Sequence, residues 1–276
     1  MINGSSAAAG QLDALTARWV RGARVVDLRD VSWIDPLHLV GVAAVAHACQ
    51  QRDVEFRLLG PSGPLASYAA RMRLGLIIDK FGGSHDLPPA RERDRRESLL
   101  EITELTSRSD ADRMAALVHD RVYPLDVRAA AALHNGLAEI GANVCDHAQS
   151  TGFMAAQAIG RLDQLRFAVA DCGVGLLSTL AGRGASDDRS ALDLAVSGES
   201  RLKDEDVTRG CGLPNTIEQV AALGGAVFLA SGAATVQLGA TDVWHCTAEP
   251  AWHGTLLEGR VPASRHALQR LSWKDD

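Results

Sequence analysis

The chain has 276 residues, 46% hydrophobic and 22% charged, which is the balance of an ordinary globular protein and excludes a mostly disordered one. A net charge of −6 supplies no basic field for nucleic acid. The longest weakly polar stretch, 39–49, is far shorter than the ~20 residues of a membrane-spanning helix, so no membrane is expected.

In chain order, the first ten residues are small and polar and contain no basic residue ahead of an apolar run, so no signal peptide is expected. A strand is expected at 23–28 and a turn at 32–36, with Pro36 suited to the first turn of a helix. The run 38–50 is apolar enough for a buried helix, and 54–59 alternates as a strand does. After the turn 60–63, residues 64–72 read as helix. Strand, helix, strand, helix over 10–80 predicts a small α/β domain.

Residues 81–97, rich in Gly, Pro and charge, read as a linker. The second segment, 98–263, opens with a strand at 99–105 and helices at 111–122 and 126–147. Strands are expected at 153–159 and 165–170, then a helix at 214–223 closed by Gly224 and Gly225. Strands at 226–230, 235–238 and 256–261 end the segment, which predicts an α+β layer: a mixed sheet with helices on one face. The five cysteines (Cys49, Cys145, Cys172, Cys211, Cys246) are scattered and form no CxxC pair. Neither a disulfide framework nor a zinc knuckle is indicated, and a reducing cytoplasm is expected.

Four elements carry chemistry. On the helix 126–147, Leu133, Leu137, Ile140 and Val144 form an apolar stripe, while Glu139, Asn143 and His147 line another side. Taken alone, the second stripe reads as a solvated polar face. Asp171, Gly173 and Gly175 follow a strand as DxGxG: the acid can accept from an amino group, and the glycines let backbone approach a flat ligand or a phosphate. Alone, this is a weak signal. Gly210 and Gly212 precede a helix with Pro214 in its first turn, where free amides and the helix dipole suit a phosphate. Gly254-Thr255 opens the last strand. No GxxxxGK[ST], GxGxxG or HExxH occurs, which argues against P-loop, Rossmann and zincin chemistry.

The order of these elements, ExxxNxxxH, DxGxG, GxG and Gly-Thr, resembles the GHKL ATPases, from about 98 to 263. That resemblance implies a Bergerat-fold α/β sandwich holding Mg²⁺–ATP between a sheet and a lid. It implies that Asn143 ligates Mg²⁺ and that Glu139 polarises the attacking hydroxyl or water. Asp171 would accept from the adenine amino group, and Gly173 and Gly175 would line the base and hinge the lid. Gly210 and Gly212 would meet the phosphates, with Thr255 beneath the adenine. The family's fuller glycine box has a further glycine where Thr208 stands here. The lid, 176–209, is long and polar and offers Arg183, Arg189, Arg201, Lys203 and Arg209 as phosphate contacts. The Glu139–Asn143 spacing with His147-Ala148 after it looks closest to the anti-sigma-factor serine kinases. His119 reads as an ordinary helix residue, because Val122 stands where a phospho-acceptor histidine box has arginine.

The first segment resembles a STAS domain through VVDLRDVSWIDPLHLVGVAAVAHACQQRDVEFRLLGPSG. Where antagonists of that family carry an acceptor serine after the aspartate, Asp35 is followed by Pro36, so a docking or regulatory role is expected. Together the resemblances imply a Mg²⁺–ATP-binding regulator with slow ATPase or protein-serine-kinase activity. Its protein partner would be a STAS antagonist, a sigma factor or another regulator, and a homodimer stays open. The alternative is a nucleotide-dependent protein-binding switch without turnover.

Overall fold

Asp35 organises the first segment. Its backbone is extended and its carboxylate accepts from the His38 N–H, while the His38 side chain returns to the Asp35 N–H as a capping box. Helix α1 (Pro36–Gln51) starts there and buries 13 of its 16 residues, because it is apolar on nearly every side. The computed structural model describes residues 12–15, 17–90, 98–124, 126–198, 212–239 and 243–263.

Strands β1 (Arg18–Val20), β2 (Ala23–Asp27), β3 (Phe56–Leu59) and β4 (Ser84–His85) form one sheet in the order β1-β2-β3-β4. β1 pairs antiparallel with β2, and the other pairs are parallel. Helices α2 (Gly63–Arg71) and α3 (Leu74–Lys80) connect β3 to β4. The stretch 81–90, expected as linker, therefore carries a fourth strand, and it buries Phe81 and Leu87. Residues 91–97 lie outside the described residues.

The second sheet holds β5 (Ser98–Leu105), β6 (Gly152–Ile159), β7 (Gln164–Asp171), β8 (Ala226–Gly239) and β9 (Val243–Pro262), in the order β5-β6-β7-β9-β8. Every pair in it is antiparallel, which corrects the expected mixed sheet. The reason is connectivity. Helices α4 (Arg108–Val122) and α5 (Val127–His147) run out and back as a pair, so β6 enters against β5. β8 and β9 then form a hairpin that slots β9 between β7 and β8. The strands expected at 226–230 and 235–238 are one strand with a register shift at Gly232. Helices α6 (Gly175–Leu180), α7 (Asp188–Ser197) and α8 (Gly212–Ala222) lie between β7 and β8 in sequence.

Both faces of this sheet are covered, so the expectation of helices on one face is also corrected. Met154, Ala156, Phe167, Val169, Leu229 and Leu257 pack with Leu133, Leu137 and Ile140 of α5. Phe153, Ala155, Ala168, Ala170, Ala230 and Leu256 share the other core with Leu39, Val40, Val42 and Ala43 of α1. Alternate residues of each strand thus serve opposite layers, and the whole is α-helical and β-sheet mixed, with two sheets. Among the described residues, no helix is long and apolar enough to cross a membrane.

Between α1 and this sheet lies a buried charge cluster. Asp35 Oδ1 is 2.7 Å from His38 Nδ1, and Arg166 Nη1 donates to Asp35 Oδ2 at 2.8 Å. Arg166 Nη1 is also 3.5 Å from Glu258 Oε1, and Arg260 Nε donates to Glu258 Oε2 at 2.7 Å. Burial pushes the Asp35 carboxyl up, but His38 and Arg166 more than reverse this and hold it well below the usual range. Burial, then the nearby Asp35 charge, raises Glu258. Removing the bridging cation leaves two carboxyl groups facing each other without water. Arg166→Met is therefore expected to cost about 3–5 kcal/mol of stability, read as a lower urea midpoint. An unchanged midpoint would mean that the cluster relaxes to solvent.

Candidate functional site

β7 delivers the site. Residues 166, 168 and 170 face α1, and 165, 167 and 169 face the helices of the other layer, so Asp171 emerges on the side opposite α1. It is 1% exposed. Its Oδ1 accepts from the Gly173 N–H at 2.8 Å, and the Thr255 N–H also bonds to the carboxylate. Trp252 Nε1 donates to the Asp171 carbonyl at 3.1 Å. Burial pushes the acid up to about 6, against the lowering effect of these two N–H donors. Two donors leave the carboxylate under-compensated, so the site favours a further hydrogen-bond donor.

The loop after β7 is stitched to the end of α5. The Val174 N–H donates to the Ala148 carbonyl at 3.1 Å. A side chain at Gly173 would overlap that same carbonyl, so glycine is required there by packing, whatever ligand binds. Gly254 has φ +97° and lies against Asp171 and the Gly173 nitrogen, where only glycine fits. Ser231 Oγ donates to the Gly254 carbonyl at 2.8 Å and accepts from the Leu176 N–H at 2.9 Å, which ties α6 to the same place. Asp171, Gly173, Gly175 and Thr255 are thus brought together.

Helix α5 starts at Asp126, whose carboxylate accepts from the Arg128 and Ala129 N–H groups at 2.9 Å each. The stripe Leu133, Leu137, Ile140 and Val144 is buried as expected. Glu139 and Asn143 are half-buried, and His147 is exposed on the last turn. Among the described residues, neither the Glu139 nor the Asn143 side chain makes a hydrogen bond. Gly212 packs directly on the Glu139 side chain, so a side chain at 212 would collide with it. The first and third motifs therefore meet, with an acid standing at the N-terminal end of α8. Gly210 lies outside the described residues, as do Thr208, Arg201, Lys203, Arg209 and Cys211. Nearby, Arg108 Nε donates to Asp146 Oδ1 at 2.7 Å, three residues beyond Asn143.

The expected polar lid is partly a packed structure. Leu180, Ala185, Ala191 and Ala195 form a small core, with Leu213 of α8 against it. Asp187 caps α7 by accepting from the Ser190 N–H at 2.7 Å, and Asp188 Oδ2 accepts from the Ala233 N–H of β8 at 2.8 Å. Arg189 pairs with Asp193 at 3.3 Å. A cavity of about 560 Å³ lies in the first sheet's layer, lined by Arg29, Gly60, Ser62 and Asp86, away from Asp171.

Sequence reasoning missed Trp252, Ser231 and Ala148 as partners of the site. Trp252 lies two residues before Gly254-Thr255, within reach of that signal; the other two become partners only through folding. Among the described residues, no group of three or more His, Cys, Asp or Glu side chains is arranged to hold a metal. No protein-family model, curated protein or solved structure matches this chain.

Cys172, between Asp171 and Gly173, packs toward the core shared with α1. Burial, then the neighbouring Asp171 charge, pushes its thiol far up, so little thiolate forms. It is expected to resist alkylation in the folded protein with or without nucleotide, and to react in urea. Rapid native labelling that ATP suppresses would instead put this thiol on the nucleotide side.

Proposed function

We propose that the chain binds Mg²⁺–ATP in a Bergerat-type site and acts as a slow ATPase or protein-serine kinase of the anti-sigma-factor type. In this reading the first segment is a STAS-like layer. One observation carries it: a buried acid at a strand end, under-compensated by the Gly173 and Thr255 N–H groups, is locked to the end of the helix that bears Glu139 and Asn143. The donor set fits the ligand. Asp171 accepts from the adenine amino group, which supplies the missing donor. Asn143 would offer an amide oxygen to Mg²⁺, the kind of oxygen ligand that ion takes. Bound Mg²⁺–ATP supplies the transferable phosphoryl group and the charge neutralisation. Glu139 would orient the attacking hydroxyl or water, and the start of α8 would favour anionic oxygens through its dipole.

A second reading, a nucleotide-dependent protein-binding switch without turnover, is favoured by the contact of Glu139 with Gly212. An acid at a helix N-terminus is stabilised by the dipole and needs no catalytic role. In both readings the protein works in the cytoplasm on a protein partner. Incubation with γ-labelled ATP separates them. Label in inorganic phosphate indicates an ATPase, and label in a STAS-type partner indicates a kinase. Tight ATP binding with no label transfer leaves the switch.

A further inference from the structure

The first segment spends one side of its sheet on α1 and the second layer. Strand register dictates what the other side carries. Arg18 lies across from Val25, and Val25 across from Arg57, so the three form one row over β1, β2 and β3. Alternation adds Val20, Asp27 and Leu59 to the same face. These residues line a groove of about 410 Å³. Its border strand β1 is exposed throughout, with Val20 48% accessible. Trp19, between Arg18 and Val20, alternates to the opposite face, where the Arg24 guanidinium stands 5.3 Å from its ring centre.

The charges are unevenly matched. Arg29 is held by Asp27 at 2.7 Å. Arg18 and Arg57 have no ion-pair partner among the described residues, and Glu55, two residues before Arg57, is not among the groove's lining residues. Two arginines outside any ion pair therefore stand on one face of a chain of net charge −6, their backbones two strand spacings, about 10 Å, apart; Arg18 also lies close enough to Asp27 to lower its carboxyl. Between the two arginines is an apolar floor of Val25, with Val20 and Leu59 beside it. Arginine is one of the residue types that most often carry binding energy at protein interfaces. Among the described residues β1 is also an edge strand of its sheet, against which an extended chain can hydrogen-bond.

We propose that this face docks an acidic, apolar-containing segment of a partner protein in extended conformation. Carboxylates of the segment meet Arg18 and Arg57, and its apolar side chains lie on Val20, Val25 and Leu59. The inference is independent of nucleotide binding, because the groove and Asp171 belong to different sheets.

The test uses the full chain and a fluorescent, end-blocked hexapeptide alternating Glu and Leu, with a Lys–Leu counterpart, followed by anisotropy. The Glu–Leu peptide is expected to bind and the Lys–Leu peptide not. The double substitution Arg18→Glu with Arg57→Glu should weaken binding at least tenfold. Added salt should weaken binding in the parent. Both positions are exposed, so an unchanged melting temperature checks the fold. Equal binding of both peptides, no binding of either, or indifference to the substitutions overturns the proposal. So does tighter Arg18- and Arg57-dependent binding of a single-stranded oligonucleotide, which makes the face a nucleic-acid surface. A concentration-dependent dimer in sedimentation that Arg18→Glu abolishes also overturns it, by assigning the face to a second copy of this chain.

Discussion

Replacing Asp171 by Asn is expected to leave a folded protein that gains no thermal stability from Mg²⁺–ATP. In the parent, ATP at a hundred times its dissociation constant should add about 2.7 kcal/mol, because the adenine amino group satisfies the buried acid. An asparagine there presents a neutral amide that cannot compensate the amino group in the same way. The substitution has a second signature in the unliganded protein. The folded carboxyl sits at about 6, above its ordinary value of 3.8. A raised folded value gives stability that is full below the unfolded value and lost as pH rises through the folded one. Between pH 4 and pH 7 the parent should therefore lose up to about 3 kcal/mol relative to Asp171→Asn, read as the difference between two urea-midpoint profiles. Parallel profiles would show that the acid is already neutralised by a partner. An ATP shift surviving in the variant would remove Asp171 from the nucleotide site.

The second large effect separates turnover from binding. Glu139 and Asn143 lie one turn apart on α5, both half-buried, and Glu139 touches Gly212. Glu139→Ala is expected to bind ATP at least as tightly as the parent, since it removes an acid from the place where anionic oxygens approach α8. Its turnover should fall about 10²–10⁴-fold. Asn143→Ala should lose affinity for Mg²⁺–ATP about tenfold or more, as removal of a metal-supporting group does, with a smaller loss for ATP alone. Calorimetry with and without Mg²⁺, beside a phosphate-release assay, measures both. Full turnover in Glu139→Ala would end its catalytic assignment.

How far the sequence could be read differs by element. The stripe of α5 was legible because one of its faces is apolar and the other is not. α1 was legible as a buried helix, but a helix apolar on nearly every side does not say which sheet it lies on. β7 had the same ambiguity. LRFAVA is apolar at both parities, and only the fold shows that alternate residues meet different layers. That is why a sheet with helices on one face was expected. β1 and β4 are three and two residues long and are held by neighbours rather than by their own pattern. The helix α7 did have a readable start, Asp187 with Ser190 three residues on, but it stood in a stretch taken as polar lid. The site residues themselves carried type and order but no depth. That Asp171 is buried, and that Gly173 is set by the Ala148 carbonyl, comes from the meeting of a strand end with a helix end.

The union of α1 with β7 and β9 has a consequence for biosynthesis. Asp35 and Arg166 are 131 residues apart in the chain, and Glu258 follows α1 by about 200 residues. At about 5–20 residues per second, a newly made α1 waits roughly 10–40 s before β9 exists to cover it. Throughout that interval a helix with apolar side chains on nearly all sides lacks the sheet that covers it. Its partner strands must then close a very long loop, which slows folding. The nascent protein is thus most vulnerable to aggregation before β9 has been synthesised, and α1 is the segment a chaperone would have to shield.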